Sequence, residues 1–380
     1  MTQTLTEKST TAPSRKNKAE RIGERPPFDR GALVIFPARR ETVASRLARI
    51  LPVLGALVYP ALVAAVYVSG RLAHAAPGPV SSIAVAASLL AVFGVPVYGF
   101  TEALRLARGT QPTVAEHRLR ALCHLVAATP PLFGAFGVVF SMLGWPGGDY
   151  LAWAVAWLAV SAYAYRVSGD ARRFIPSDRP HPRLRVAHGI SAAALIVAFI
   201  AIHLGNHLTA IWSLELHSAI LTALRHWYRN VLIEPLIVGL MLFQIGSGLT
   251  LLYGRLDRPS DLYRAVQTAT GAYLAVYIAA HMSAVFLLGR LFLGIDTGTS
   301  YVFFKDGYMP SLFNVRFISH YGLGAFAVIT HAGCGLRDIL LAHGVALTAS
   351  NRTFWCVLAT GAAVGMVIAL ALCAVRIAPA

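Results

Sequence analysis

The sequence predicts an all-α integral membrane protein with about nine transmembrane helices, and three observations predict it. Of the 380 residues, 56% are hydrophobic and only 13% charged, too little charge to wet the surface of a soluble domain of this size. Apolar runs of roughly 17–25 residues, the length that crosses a hydrocarbon core, recur along the chain. No stretch alternates apolar and polar residues as a half-buried strand would.

Taken in order, the runs place spans at 50–69, 80–99, 121–143, 150–167, 184–211, 230–254, 265–292, 317–343 and 353–376. Residues 1–49 precede them as a basic cytoplasmic tail, polar and Ser/Thr/Pro-rich through residue 30 and expected to be largely disordered there. The tail has no early apolar stretch of the signal-peptide kind, so insertion is expected to depend on the first span. Residues 31–49 join Ala32-Leu33-Val34-Ile35-Phe36 to Arg39, Arg40, Arg46 and Arg49, a segment suited to the inner membrane surface. Spans one to four, 50–167, form a membrane region with few polar groups, and Pro130-Pro131 should kink the third. An Arg-rich linker, 166–185, divides it from five further spans over 184–376. Arg118-Leu119-Arg120 with His124 is faintly echoed by Arg183-Leu184-Arg185 with His188. Residues 213–229 carry Ile220, Leu221, Leu224, Trp227 and Tyr228 at three-four spacing, with His217, Arg225 and Arg229 facing elsewhere. That pattern reads as an interfacial helix on the outer side.

The net charge of +16 is distributed, not patched. With these spans, 26 of the 33 Lys and Arg fall on the side of the N-terminal tail and 7 on the other. Such asymmetry predicts an inner-membrane protein with a cytoplasmic N-terminus and an outer C-terminus. It makes membrane lipid the partner of the basic residues and argues against nucleic acid. Cys123, Cys334, Cys356 and Cys373 form no CxxC or CxxCH pattern and read as small buried hydrophobes.

Of thirteen histidines, several stand near mid-depth in the last five spans, where an ionisable side chain is costly and functional by default. His203 lies 18 residues after Arg185 and His281 17 after Arg264. The two helices run the same way, so at 1.5 Å per residue both imidazoles stand about 26 Å from the cytoplasmic edge. Gln244 and His331 lie 14 residues into helices running the other way, about 21 Å from the outer edge and so nearer the cytoplasm. Two candidate ligand pairs thus occur at two depths of a helical bundle. Haem b needs one imidazole on each face of its iron at one level. His207, one turn from His203, is an equal candidate ligand by face. His320 reaches the outer level, as an alternative ligand or a contact for a propionate or quinone. Arg225 and Arg229 sit beside that level as propionate partners. Glu234, just inside the outer edge, is a candidate acceptor for a quinol proton.

With these positions on the page, residues 184–376 resemble the five-helix cytochrome b membrane subunit of succinate dehydrogenase and fumarate reductase. Gln267-Thr268-Ala269-Thr270-Gly271 before His281, and Glu234-Pro235 opening the sixth span, add to the likeness. The resemblance implies haem ligands from the first four of the five helices, the first and third holding one haem and the second and fourth the other. His203 (or His207), Gln244, His281 and His331 fall in those places, and 353–376 has no histidine. At Gln244 the family has a histidine. Glutamine is a weak iron ligand, so the cytoplasmic-side haem is expected to be absent or five-coordinate through His331.

The resulting expectation is a membrane haem b protein that exchanges electrons with a quinone and a redox partner protein. No nucleophile triad, phosphate loop or metal-hydrolase motif occurs, so the chain reads as a subunit or electron carrier and not a complete enzyme. The alternatives are a haem- or quinone-binding sensory or assembly module, or a haem-free scaffold or transporter.

Overall fold

The computed structural model describes residues 42–176 and 181–378, so the tail and its surface segment through residue 41 lie outside the described residues. What is described is helical, with one isolated bridge, Thr113 to Arg173, and no strand. Six helices are long and apolar enough to cross a membrane, and two bent helix pairs bring the number to eight if each pair is one span. This is the pattern of a multi-pass membrane protein.

The breaks in the first half follow its prolines. α1 (Val43–Leu57), capped by the Thr42 hydroxyl, meets α2 (Tyr59–Ala75) at a 46° bend where Pro60 opens the second helix. α3 (Pro79–Ala107) is an unbroken span. α4 (Val114–Ala127) starts in a capping box, Thr113 with Glu116, and meets α5 (Thr129–Met142) at 62°. Pro130 and Pro131 lack the N–H groups that would carry the ladder across, which is the kink the sequence predicts. α6 (Gly148–Val167) covers the fourth expected span. It is not among the helices apolar enough to cross, since Asp149, Ser161, Arg166 and three tyrosines lower its hydropathy.

The second half holds the other five long helices. α7 (Pro182–Leu195) runs through a π segment (Ile196–Ile200) into α8 (Ala201–Thr209) as one span. α9 (Leu214–Tyr228), capped by Ser213, precedes α10 (Ile233–Leu256). α11 (Leu262–Met282), capped by Asp261, continues as a π segment (Ser283–Phe292). The short α12 (Thr299–Val302) and a 3-10 turn (Asn314–Arg316) lead to α13 (Phe317–Ala342) and then α14 (Leu347–Leu372).

α7 packs on α10, α10 on α11, α11 on α13 and α13 on α14, while α14 also touches α8, closing a five-membered ring. The α13–α14 seam is tight because it is built on glycine. A Cβ at Gly365 would meet the Gly322 carbonyl oxygen at 2.5 Å, and one at Gly333 would meet Val357 at 2.7 Å. α3, α4 and α5 lie against α11. One apolar core runs from Tyr59, Phe133 and Trp153 into Phe317, Ile318 and Ala369 of the ring. The covered helices α11, α13 and α14 bury 33% of their most apolar stretch, whereas α7–α8 and α10 bury only 6%, so the latter two present their flanks to lipid.

Candidate functional site

The ring gathers histidines at two levels. At the level that the predicted orientation makes the outer one, the His203 and His281 ring centres are 6.2 Å apart, with planes inclined at 59°. His203 stacks on Phe199 at 4.8 Å and His281 on Tyr277 at 5.7 Å, so both rings are braced by aromatic faces. His207 lies 3.2 Å from His203, Nε2 to Nε2, and stacks on His217 at 5.5 Å.

His217 corrects an expectation. The helix-face reading turned it away from the apolar stripe of α9, yet it is 1% exposed while Trp227 of that stripe is 59% exposed. Its Nδ1 meets the Thr299 hydroxyl at 3.0 Å, and Phe303 packs on its ring. Burial pushes its pKa down to about 4, so it is neutral at neutral pH. Beyond Thr299 and Phe303 opens a cleft of about 950 Å³ lined in part by Glu215, Asp296 and Lys305.

At the other level, inner in the predicted orientation, the ring facing His331 is His188, with centres 6.3 Å apart and planes 84° apart. Gln244, paired with His331 by depth, instead donates its amide to the His188 carbonyl at 3.1 Å and to Ser191 at 2.6 Å. His331 Nδ1 lies 3.0 Å from the Gln267 carbonyl oxygen, which can only accept, so Nδ1 carries the proton. His188 Nδ1 lies 2.8 Å from Ser247 Oγ, whose own proton goes to the Phe243 carbonyl, so Nδ1 carries the proton here too. Both Nε2 atoms therefore present lone pairs.

The remaining expected residues take other places. His320 is 2% exposed among Phe317, Tyr277 and Tyr321, one aromatic ring removed from His281. Arg225 and Arg229 hold Asp296 at 2.6 and 2.5 Å on the outer rim. Glu234 is ion-paired with Arg290 at 2.6 Å.

Among the described residues, no three His, Cys, Asp or Glu side chains converge as a metal site of protein ligands alone would need. Two bonds of about 2 Å from nitrogen to metal, plus ~1.1 Å from nitrogen to ring centre on each side, separate two axial imidazole centres by roughly 6.2 Å. The two pairs have that spacing. The arrangement suits a metal that takes two axial imidazoles and brings its other ligands with it.

His188 is the residue that sequence reasoning missed. Its signals were the 15 residues, about four turns, that separate it from His203, and its place in the Arg-rich echo before the fifth span. No protein-family model, no curated protein and no solved structure matches this chain.

Proposed function

We propose that the protein is a membrane cytochrome b, an electron carrier that holds haem b between His203 and His281 and exchanges electrons with a quinone and a redox partner protein. The observation that carries this reading is the 6.2 Å separation of those two rings, from alternate crossings of the bilayer and braced by aromatic faces. The likeness of residues 184–376 to the five-helix cytochrome b subunit of succinate dehydrogenase and fumarate reductase supports it.

When bound, the haem supplies one-electron chemistry, its iron passing between the ferric and ferrous states. The chain's own residues do the rest. His203 and His281 would ligate the iron, with His207, whose Nε2 lies 3.2 Å from that of His203 and whose ring stacks on His217, beside them. Phe199 and Tyr277 fix the ring planes and keep the site apolar. Arg225 and Arg229 place positive charge at the outer rim, where propionates would otherwise face lipid headgroups. Glu234 is the acid at the outer edge that would take a proton from a quinol on leaving its pair with Arg290. The orientation proposed is the one the charge asymmetry predicts, with the N-terminus cytoplasmic and this pair near the outer face of the inner membrane.

A reduced-minus-oxidised spectrum of the full-length protein, purified from membranes supplied with haem, tests the reading. Haem b bands are expected, and His281→Ala or His203→Ala should remove or shift the outer component while His207→Ala keeps it. Absence of haem bands in the unaltered protein would end the proposal. Unchanged bands in His281→Ala would mean that the ligand lies elsewhere.

A further inference from the structure

We infer that the chain carries a second iron–porphyrin site at the inner level, ligated by His188 and His331, and that Gln244 is a buttress of this site and not its ligand. The inference rests on the haem reading above and extends it to residues that the likeness does not designate. There the second helix of the five would supply the ligand, whereas here the first helix of the five supplies one at each level.

Four observations, drawn from α7, α10, α11 and α13, support it. The ring centres of His188, on α7, and His331, on α13, are 6.3 Å apart, matching the outer pair within 0.1 Å. α10 orients His188 through Ser247, and α11 orients His331 through the Gln267 carbonyl. Hydrogen bonds from Nδ1 to a fixed acceptor set the tautomer and raise the basicity of Nε2, the usual outer support of a metal-bound histidine. The glycines opposite the rings leave them room: a Cβ at Gly271 would stand 2.9 Å from His331 Cε1, and one at Gly248 would stand 3.5 Å from His188 Cε1. Finally, the Arg255 guanidinium is within electrostatic reach of both rings and is tethered to Gln267 at 2.6 Å. It is a cation suited to a porphyrin carboxylate.

The side chain of Gln244 is turned to α7 instead. Its amide nitrogen is engaged by the His188 carbonyl and Ser191, which fixes α10 against α7 just below the ligand. His188 and His203 lie on one continuous span, about 22 Å apart along its axis, so a single helix would set the vertical spacing of both irons.

The test is haem stoichiometry and redox titration of the full-length protein from haem-supplied membranes. Two haems per chain are expected for the unaltered protein, and one for His188→Ala and for His331→Ala. His188→Met is expected to keep both haems while raising the midpoint potential of one, because histidine–methionine ligation raises the potential. A purely structural histidine would not produce that shift, and the variant guards against an alanine change that merely prevents folding. One haem in the unaltered protein, or two in His188→Ala, would overturn the inner-site assignment and leave the outer one standing. Absence of any haem would instead remove the reading on which both depend.

Discussion

Gly271 shows how much of this interior hangs on single positions. Its α-carbon faces the His331 ring so closely that one methyl group would fall 2.9 Å from Cε1 and 3.4 Å from Nδ1. The ring cannot swing aside without losing Gln267. Gly271→Ala is therefore expected to cost about 1–3 kcal/mol by overpacking and, on the two-site proposal, to disturb the spectrum of the haem proposed at His331 while sparing that proposed at His281. Thermal unfolding in detergent with paired spectra checks this, and an unaltered midpoint with unaltered bands would show that the ring has freedom the hydrogen bonds deny. The outer pair, His203 with His281, was legible from residue counts, because both lie the same number of turns into parallel crossings. The inner partner was not. Counting gives depth, and Gln244 has the right depth, but which residue turns toward His331 depends on the rotation and tilt of α7 against α10.

Rotation is also where the helices depart from a regular pattern. Among the described residues two π segments occur, one between His188 and His203 and one just after His281. Fifteen residues of regular α-helix would leave the first two rings about 60° apart around the axis, and the wider π turns rotate that offset. No residue type announces a π segment, so the sequence carried no signal of it. α9 was foreseen as a helix, but its inward face was not, since His217 is buried by α12 and Phe303, which arrive from eighty residues further on. Arg225 and Arg229 pin this helix to the loop after α11 through Asp296, and their hydrogen bonds hold the Asp296 carboxyl below the usual carboxylate range. Because the folded-state pKa is lowered, the stabilisation is present above the ordinary value, about 3.9, and is lost as pH falls through the lowered one. Asp296 is 67% exposed, so Asp296→Asn should cost only about 0.2–1 kcal/mol at pH 7. That difference should shrink in strong acid and in high salt. Unfolding midpoints compared across pH and salt test this, and a penalty independent of both would rule out the electrostatic account.

Across the molecule, the first six helices and the ring share one core, joined by an ion pair deep inside it. Arg316 and Asp149, 2% and 5% exposed, meet at 2.5 Å, with the guanidinium over the Phe133 ring at 4.3 Å. Tyr59 adds a buried hydrogen bond to Ser319. Removing one partner strands a charge in a medium that cannot hydrate it, so Asp149→Ala is expected to destabilise the protein by about 3–5 kcal/mol. Asp149→Leu combined with Arg316→Met should recover most of that loss. Denaturant unfolding of the single and double variants would show it, and equal losses in both would mean that the shape of the site matters and its charge does not. The sequence placed Arg316 and Asp149 near the outer ends of two separate crossings, with nothing to say that they touch.

Hydropathy and residue counts alone gave the helical membrane class, the position of most apolar helices, the kink at Pro130-Pro131 and the shared level of His203 and His281. Those properties follow from the local hydropathy of the chain and from the fixed rise of a helix. Among the described residues, the tertiary structure shows six helices long and apolar enough to cross, or eight with the bent pairs. It also decided that His188 faces His331, that His217 turns inward and that one core unites both halves. Which side chains meet depends on helix rotation, tilt and neighbour order, and these are set by contacts between residues far apart in the chain.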